Sequence, residues 1–234
     1  MANYVFLGLK SVFRLFKKQP EIIDLGGNDT VREPCIFIAN HSAAGGPFTY
    51  QLYFPHKFVP WGTHEMCGNY KERWNYLYHV FYQQKLRWHK VPAGIVATLF
   101  AIISKFLYNG AELIPTYRDA RFVTTIRRSL RMLERGRNIL IFPENSTDGY
   151  HEILKEYHPG FAKLASTYYR RTGKNIPIYA VYYSEEHNRI VIDKPVYIES
   201  LLEDKLDEKG IANRFCERTN ELFRLHIAGT AAVQ

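Results

Sequence analysis

The chain has 234 residues, 46% hydrophobic and 23% charged, a balance that excludes a disordered chain and suits one large domain with a sizeable core. A net charge of +8 favours anionic partners: nucleic acid, an acidic membrane surface or an acidic carrier protein. Cys35, Cys67 and Cys216 are odd in number and widely spaced, which argues against a disulfide framework and for reduced thiols in a cytosolic compartment.

In residues 4–18, Val5, Phe6, Leu9, Val12, Phe13 and Phe16 recur at helical spacing, with Lys10, Arg14, Lys17 and Lys18 mostly on the other side. This pattern predicts an amphipathic basic helix able to lie among anionic headgroups. The segment is too short and too charged to span a bilayer and lacks the cleavage site of a secretory signal. The chain therefore divides into an amphipathic helix, 1–20, that either lies in a membrane interface or packs on the domain, and a single α/β domain, 21–234. Residues 35–39 form a continuous apolar run, the mark of a buried parallel strand. Asn40-His41 stands at its carboxyl end, and a small-residue loop, 42–46, leads to a helix beyond Pro47. A short strand follows at 57–60, then an aromatic helix and loop at 68–85. The apolar run 94–107 is interrupted by Ser104 and Lys105 and reads as a buried helix, so the protein is expected to be peripheral rather than integral.

Residues 112–115 read as a strand with Arg118 just past its end, and Asp119 as the cap of a helix running to about Glu134. Residues 138–142 give a strong strand signal followed by Glu144, Asn145 and Ser146. A helix starts near Pro159, strands follow at 176–182 and 190–192, and an amphipathic helix closes the chain at 206–227. Alternating strands and helices predict an α/β fold with a mixed, largely parallel sheet flanked by helices.

Three polar clusters thus stand at the ends of three apolar strands, where open α/β sheets collect their chemistry. His41 can take a proton near neutral pH. Arg118 offers a permanently charged planar fork for phosphate. Glu144 can accept hydrogen bonds from hydroxyls. A base, an anion clamp and a hydroxyl binder together suit acyl transfer to a phosphorylated alcohol. His64, Glu65 and Cys67 fit no standard zinc spacing, so no metal is expected. No recognised motif supports nucleic-acid binding.

The order of these clusters resembles the glycerophospholipid acyltransferase family, of lysophosphatidate acyltransferase type. Asn40-His41 matches its first motif. The segment 110–118 is similar to the second, an apolar strand ending in Arg. Phe142-Pro143-Glu144 matches the start of the third, Phe-Pro-Glu-Gly-Thr-Arg-Ser, and Ile176-Pro177-Ile178 matches the fourth. Gly160-Phe161-Ala162 and Lys194-Pro195-Val196 resemble further family segments. The resemblance covers roughly residues 34–198. It departs at two points: Gly46 occupies the place of the family's Asp, and Asn145-Ser146-Thr147 replaces Gly-Thr-Arg.

The resemblance implies an acyltransferase-like fold and an O-acyltransferase that moves a fatty acyl group from acyl-CoA or acyl-carrier protein, used as co-substrate with no bound cofactor, to a lysolipid-like acceptor. It makes His41 the general base. Glu144 and Asp148 are the first candidates to replace the missing acid, with Glu65 and Asp119 behind them. Asn40, Gly45, Gly46, Arg118, Asn145 and Ser146 become substrate-binding positions, the 42–46 loop offering N–H groups to an oxyanion. The expected location is cytoplasmic, peripheral on the inner face of an anionic membrane. A non-catalytic protein of the same fold, binding lipid or acyl carrier, is the alternative that Gly46 motivates.

Overall fold

The computed structural model describes residues 2–27, 31–42, 45–146 and 148–230. Among these residues, eight strands form one mixed sheet: β1 (Glu21–Asp24), β2 (Ile36–Ala39), β3 (Val59–Thr63), β4 (Ile114–Thr116), β5 (Ile139–Ile141), β6 (Pro177–Ser184), β7 (Arg189–Ile192) and β8 (Val196–Tyr197). The spatial order is β1-β7-β6-β2-β5-β3-β4, with β8 on β6. Strands β6, β2, β5, β3 and β4 run parallel, while β7 and β8 pair antiparallel with β6. The expected mixed, largely parallel sheet is present. β1, in the polar stretch Glu-Ile-Ile-Asp, is an addition that periodicity did not signal.

Alternation along the strands divides the core into two layers. Ile36, Ile38, Ile139, Ile141, Ile178 and Ala180 face helices α5 (Phe122–Glu134), α6 (Gly160–Thr172) and α8 (Glu208–His226). Phe37, Ala39, Leu140, Tyr179 and Val181 face the other way, onto Tyr50 and Phe54 at the end of α2 (Gly45–Tyr53). All eight residues of β6 are buried, as expected of a central strand covered on both faces. α7 (Ile198–Glu203) closes the β8 edge.

A third cluster lies outside the sheet. Met66, Leu77, Tyr82, Ala93, Ala97 and Ala101 pack together. They join a short 3-10 turn (His64–Cys67), α3 (Tyr70–Asn75), a ten-residue π-helical segment (Tyr76–Lys85) and α4 (Lys90–Gly110). Wide i→i−5 winding continues to the end of the π segment, where the Leu86 N–H donates to the Phe81 carbonyl at 3.1 Å. Such winding is rare and often accompanies functional sites. α1 (Ala2–Phe16) lies against α2 and α4. Its Phe6 ring sits where Gly110 leaves room, since a Cβ there would be 2.4 Å from the ring. Phe13 meets Phe48 edge-on at 4.7 Å.

Two helices differ from the sequence pattern. α5 begins at Phe122 with no side-chain cap. Asp119 stands three residues earlier and accepts from Arg121, which holds its carboxyl down at about 2. α4 is also longer than the 94–107 run and is not a buried helix. Only Ala93, Ala97, Ala101 and Ser104 are buried, while Val91, Ile95, Leu99, Ile102 and Phe106 are exposed.

Asn138 clamps the amino ends of the parallel strands. Its Oδ1 accepts from the Cys35 N–H at 3.1 Å, and its Nδ2 donates to the Lys57 carbonyl at 2.9 Å and to Glu33 Oε1 at 2.8 Å. Truncation strands a buried backbone N–H next to β2 and a half-buried carbonyl next to β3. Asn138→Ala is expected to lower unfolding free energy by about 2–4 kcal/mol, read as a lower urea midpoint at unchanged slope.

Candidate active site

Parallel pairing brings the carboxyl ends of β2, β5, β3 and β4 to one edge of the sheet. The registers Ile38↔Ile141 and Thr63↔Thr116 fix that alignment. β5 lies on one side of β2 and β6 on the other, so the chain reverses direction across the sheet at β2. Sites form at such a reversal, and His41 is placed there.

The end of β2 is pinned on both sides. Asn40 is buried, and its side chain reproduces a strand pairing with Tyr183. Its Nδ2 donates to the Tyr183 carbonyl at 2.9 Å, and its Oδ1 accepts the Tyr183 N–H at 2.8 Å. The Tyr50 hydroxyl adds a weaker 3.4 Å bond. Both atoms of this amide are thus engaged inside the fold. On the β5 side, Glu144 Oε2 accepts the His41 N–H at 3.0 Å. Glu144 thus holds the His41 backbone.

Two rings pack on the His41 imidazole. Tyr150 stacks on it at 4.7 Å with 20° between planes, and Phe142 meets it at 5.4 Å and 61°. Ser42 then takes φ +42°, an uncommon conformation for a residue with a Cβ. The turn brings the start of α2 directly over His41. The Gly46 N–H donates to the Ser42 carbonyl at 3.2 Å, which removes it from the expected oxyanion role. A Cβ on Gly46 would stand 2.0 Å from the His41 carbonyl oxygen. The place of the family's Asp therefore cannot carry any side chain on this backbone. A Cβ on Gly45 would meet the Glu185 carboxylate at 2.5 Å. Glu185 in turn borders an open groove of about 520 Å³ walled by Phe13, Phe16, Phe48 and Tyr183 and edged by Lys17.

The loop after β5 is held by an antiparallel stretch. Glu144 bridges to Tyr157, the Asn145 N–H donates to the Glu156 carbonyl at 3.1 Å, and the His158 N–H donates to the Pro143 carbonyl at 2.8 Å. The Asn145 side chain turns outward to Glu156 at 3.1 Å. Ser146 is buried and accepts from Lys85 Nζ at 2.8 Å. Asp148 is exposed. Of the weaker acid candidates, Glu65 is engaged with Thr63 and His64, and Asp119 with Arg121.

Lys85, which no sequence pattern singled out, is the main addition. The π-helical segment delivers it to Ser146 and over the Tyr150 ring at 5.5 Å. Burial lowers its pKa first and the Arg118 charge second, while Glu144 opposes them. Arg118 is exposed, and its charge reaches Lys85 and His158. Glu144 is pushed up by burial. The His41 and His151 N–H groups and the Lys85 charge offset that push only in part. The structure thus brings His41, Glu144, Ser146, Tyr150 and Lys85 together, with Arg118 at the rim. Among the described residues, no group of three His, Cys, Asp or Glu side chains could hold a metal ion.

No family model and no curated protein sequence matches the chain. Among solved structures it is similar to the 1-acyl-sn-glycerophosphate (LPA) acyltransferase PlsC from Thermotoga maritima. The TM-score is 0.53 over 96% of this chain and 80% of that chain, at 11% identity. The fold is PlsC-like. The N-terminal helix and mixed sheet expected for a PlsC-like fold are both present.

Gly46→Ala is expected to destabilise this PlsC-like domain by about 1–3 kcal/mol through overpacking, measured by urea unfolding, and Gly46→Asp is expected to give no gain in any activity of the site. Glu144 makes a pH prediction with a definite sign. Its folded carboxyl holds a proton more tightly than the ordinary value of 4.5, so the folded state binds more protons than the unfolded one between the two values. Wild-type stability should then fall relative to Glu144→Gln as pH rises from 4.5 through the raised pKa, with parallel curves below that window. Denaturant titrations across that pH range measure it.

Proposed function

We propose that this protein is an O-acyltransferase that moves a fatty acyl group from a thioester carrier, acyl-CoA or acyl-carrier protein, to the hydroxyl of a lysophospholipid-like acceptor. The observation that carries this reading is His41, held at the end of β2 by Glu144 and stacked on Tyr150, with Lys85 over the same Tyr150 ring and the Arg118 charge acting on Lys85 from the rim. His41 removes the acceptor's hydroxyl proton. The alkoxide oxygen attacks the thioester carbonyl, the tetrahedral intermediate collapses, and the C–S bond breaks. The imidazolium returns the proton to the departing thiolate, giving an ester and a free thiol carrier.

Lys85 and Arg118 supply two positive charges for the acceptor phosphate, Lys85 close to Ser146 and Arg118 at the rim. The groove behind Gly45 offers aromatic walls to an acyl chain. Glu144 acts as a positioning residue through the His41 backbone. The Gly46 contact favours one alternative, a protein of this fold that binds lipid or acyl carrier without turnover, because the orienting Asp is excluded from its usual place.

The deciding experiment is acyl transfer by purified protein with thioester donors and a panel of lysolipids. Product is expected from wild type and lost in His41→Ala. Equal rates in both would overturn the catalytic assignment, and ligand binding without product from wild type would establish the alternative. Lys85→Ala and Arg118→Ala should raise KM for phosphorylated acceptors by about tenfold each, the scale of one lost charge-assisted bond, and leave phosphate-free acceptors little changed.

A further inference from the structure

α4 has two faces of opposite character. Ala93, Ala97, Ala101 and Ser104 are buried, and Arg73 Nε secures that face by donating to the Ala101 carbonyl at 2.9 Å. The opposite face carries Val91, Ile95, Leu99, Ile102 and Phe106, spaced four, four, three and four apart and 65%, 60%, 59%, 52% and 43% exposed. A soluble surface helix turns such a stripe inward; this one presents it to the surroundings. α4 is also 21 residues long, with a mean hydropathy of 1.8 over its most apolar window, enough to cross a bilayer by length and composition. Its buried alanine face and the Arg73 bond tie it along its length to the domain.

Charge identifies what the stripe faces. Neither α1 nor α4 contains an acidic residue. Arg87, Lys90 and Lys105 stand at or near the ends of the apolar run, and α1, packed against α4, adds Lys10 and exposes Leu7, Leu15 and Phe16. Trp88, two residues before α4, is 42% exposed. Apolar side chains on one face, flanking cations and an interfacial aromatic match the boundary of an anionic bilayer.

We propose that α4 is a monotopic membrane helix, lying in the plane of an anionic bilayer with its 91–106 stripe among the acyl chains. Four residues separate its first residue from Lys85, so the helix that enters the bilayer continues directly from the segment that lines the site. The acceptor is accordingly a lysolipid resident in that bilayer, its headgroup reaching Lys85 while its chain stays beside α4. The docking claim stands on the exposed stripe alone; the acceptor claim rests on the acyltransferase reading.

The test is cosedimentation of the full chain with phosphatidylcholine vesicles with and without phosphatidylglycerol. Wild type is expected to pellet with the anionic vesicles, less so in high salt, with brominated lipid quenching Trp88 fluorescence. Ile95→Asp/Leu99→Asp should weaken binding by at least about tenfold, since charge replaces buried apolar contact, with an unchanged melting transition because both side chains are exposed. Ile102→Ser carries the test if that pair fails to fold. His41→Ala should bind like wild type. Wild type remaining in the supernatant, or the stripe variants binding as wild type does, overturns the docking. So does a wild-type dimer that the variants dissociate without any vesicle binding. Turnover separates the second claim: the stripe variants should lose rate on vesicle-embedded lysolipid and keep it on a short-chain, monomeric one. Vesicle binding with no product from any acceptor would leave the docking standing and remove the acyltransfer reading.

Discussion

The bond between the Glu144 carboxylate and the His41 N–H joins the ends of two parallel strands at the point where strand pairing has stopped. Past Ala39 and Ile141 the ladder has no further partners, and the two chains are free to diverge. Glu144 replaces the missing ladder bond with a charge-assisted one, about twice as strong as a neutral pair. Burial opposes it by favouring the neutral carboxyl. The His41 and His151 N–H groups and Lys85 supply the compensation that a buried anion requires. The site's geometry follows from this pairing: it places the His41 backbone, and that backbone sets where the next helix can begin.

With His41 held from both sides, by Glu144 and through Asn40 by Tyr183, the chain has little room to leave the sheet. Ser42 adopts a left-handed turn, and Gly46 passes so close to the His41 carbonyl that a Cβ has no space. The absence of Asp at position 46 is therefore a property of the backbone path as well as of the side chain. Ring packing by Tyr150 and Phe142 instead limits how the imidazole can turn. Stacking constrains the plane of the ring and supplies no negative charge.

The sheet was largely legible because continuous apolar runs such as Ile36–Ala39 and Ile139–Ile141 have few alternatives to a buried parallel strand. The residues at their carboxyl ends followed from the same logic, which located His41, Glu144 and Arg118. Residue type was a poorer guide to role. Asn40 has the chemistry of a substrate contact, yet its amide pairs with a backbone 143 positions away in sequence. Gly46 read as an empty position when it is a filled one. Lys85 gave no signal, since its place depends on a wide helical winding that periodicity does not register and on a partner, Ser146, 61 residues on.

α4 shows how far hydropathy and burial can separate. The same apolar composition serves a helix enclosed in a core and one with an exposed apolar face, and α4 is the second. The distinction lies in which side is small. A helix in a core spends its large residues on contacts and tolerates small ones at its margins, whereas α4 packs its alanines against the domain and carries its bulk outward. Close approach through alanines holds the helix firmly with little buried volume, which is economical only if the large side chains find an apolar environment elsewhere. Read with that asymmetry, the spacing 93, 97, 101, 104 against 91, 95, 99, 102, 106 already distinguishes the two faces. Which face is inward follows from the volume left to fill between α4 and the π-helical segment, where Leu77 and Tyr82 occupy the space that larger α4 side chains would need.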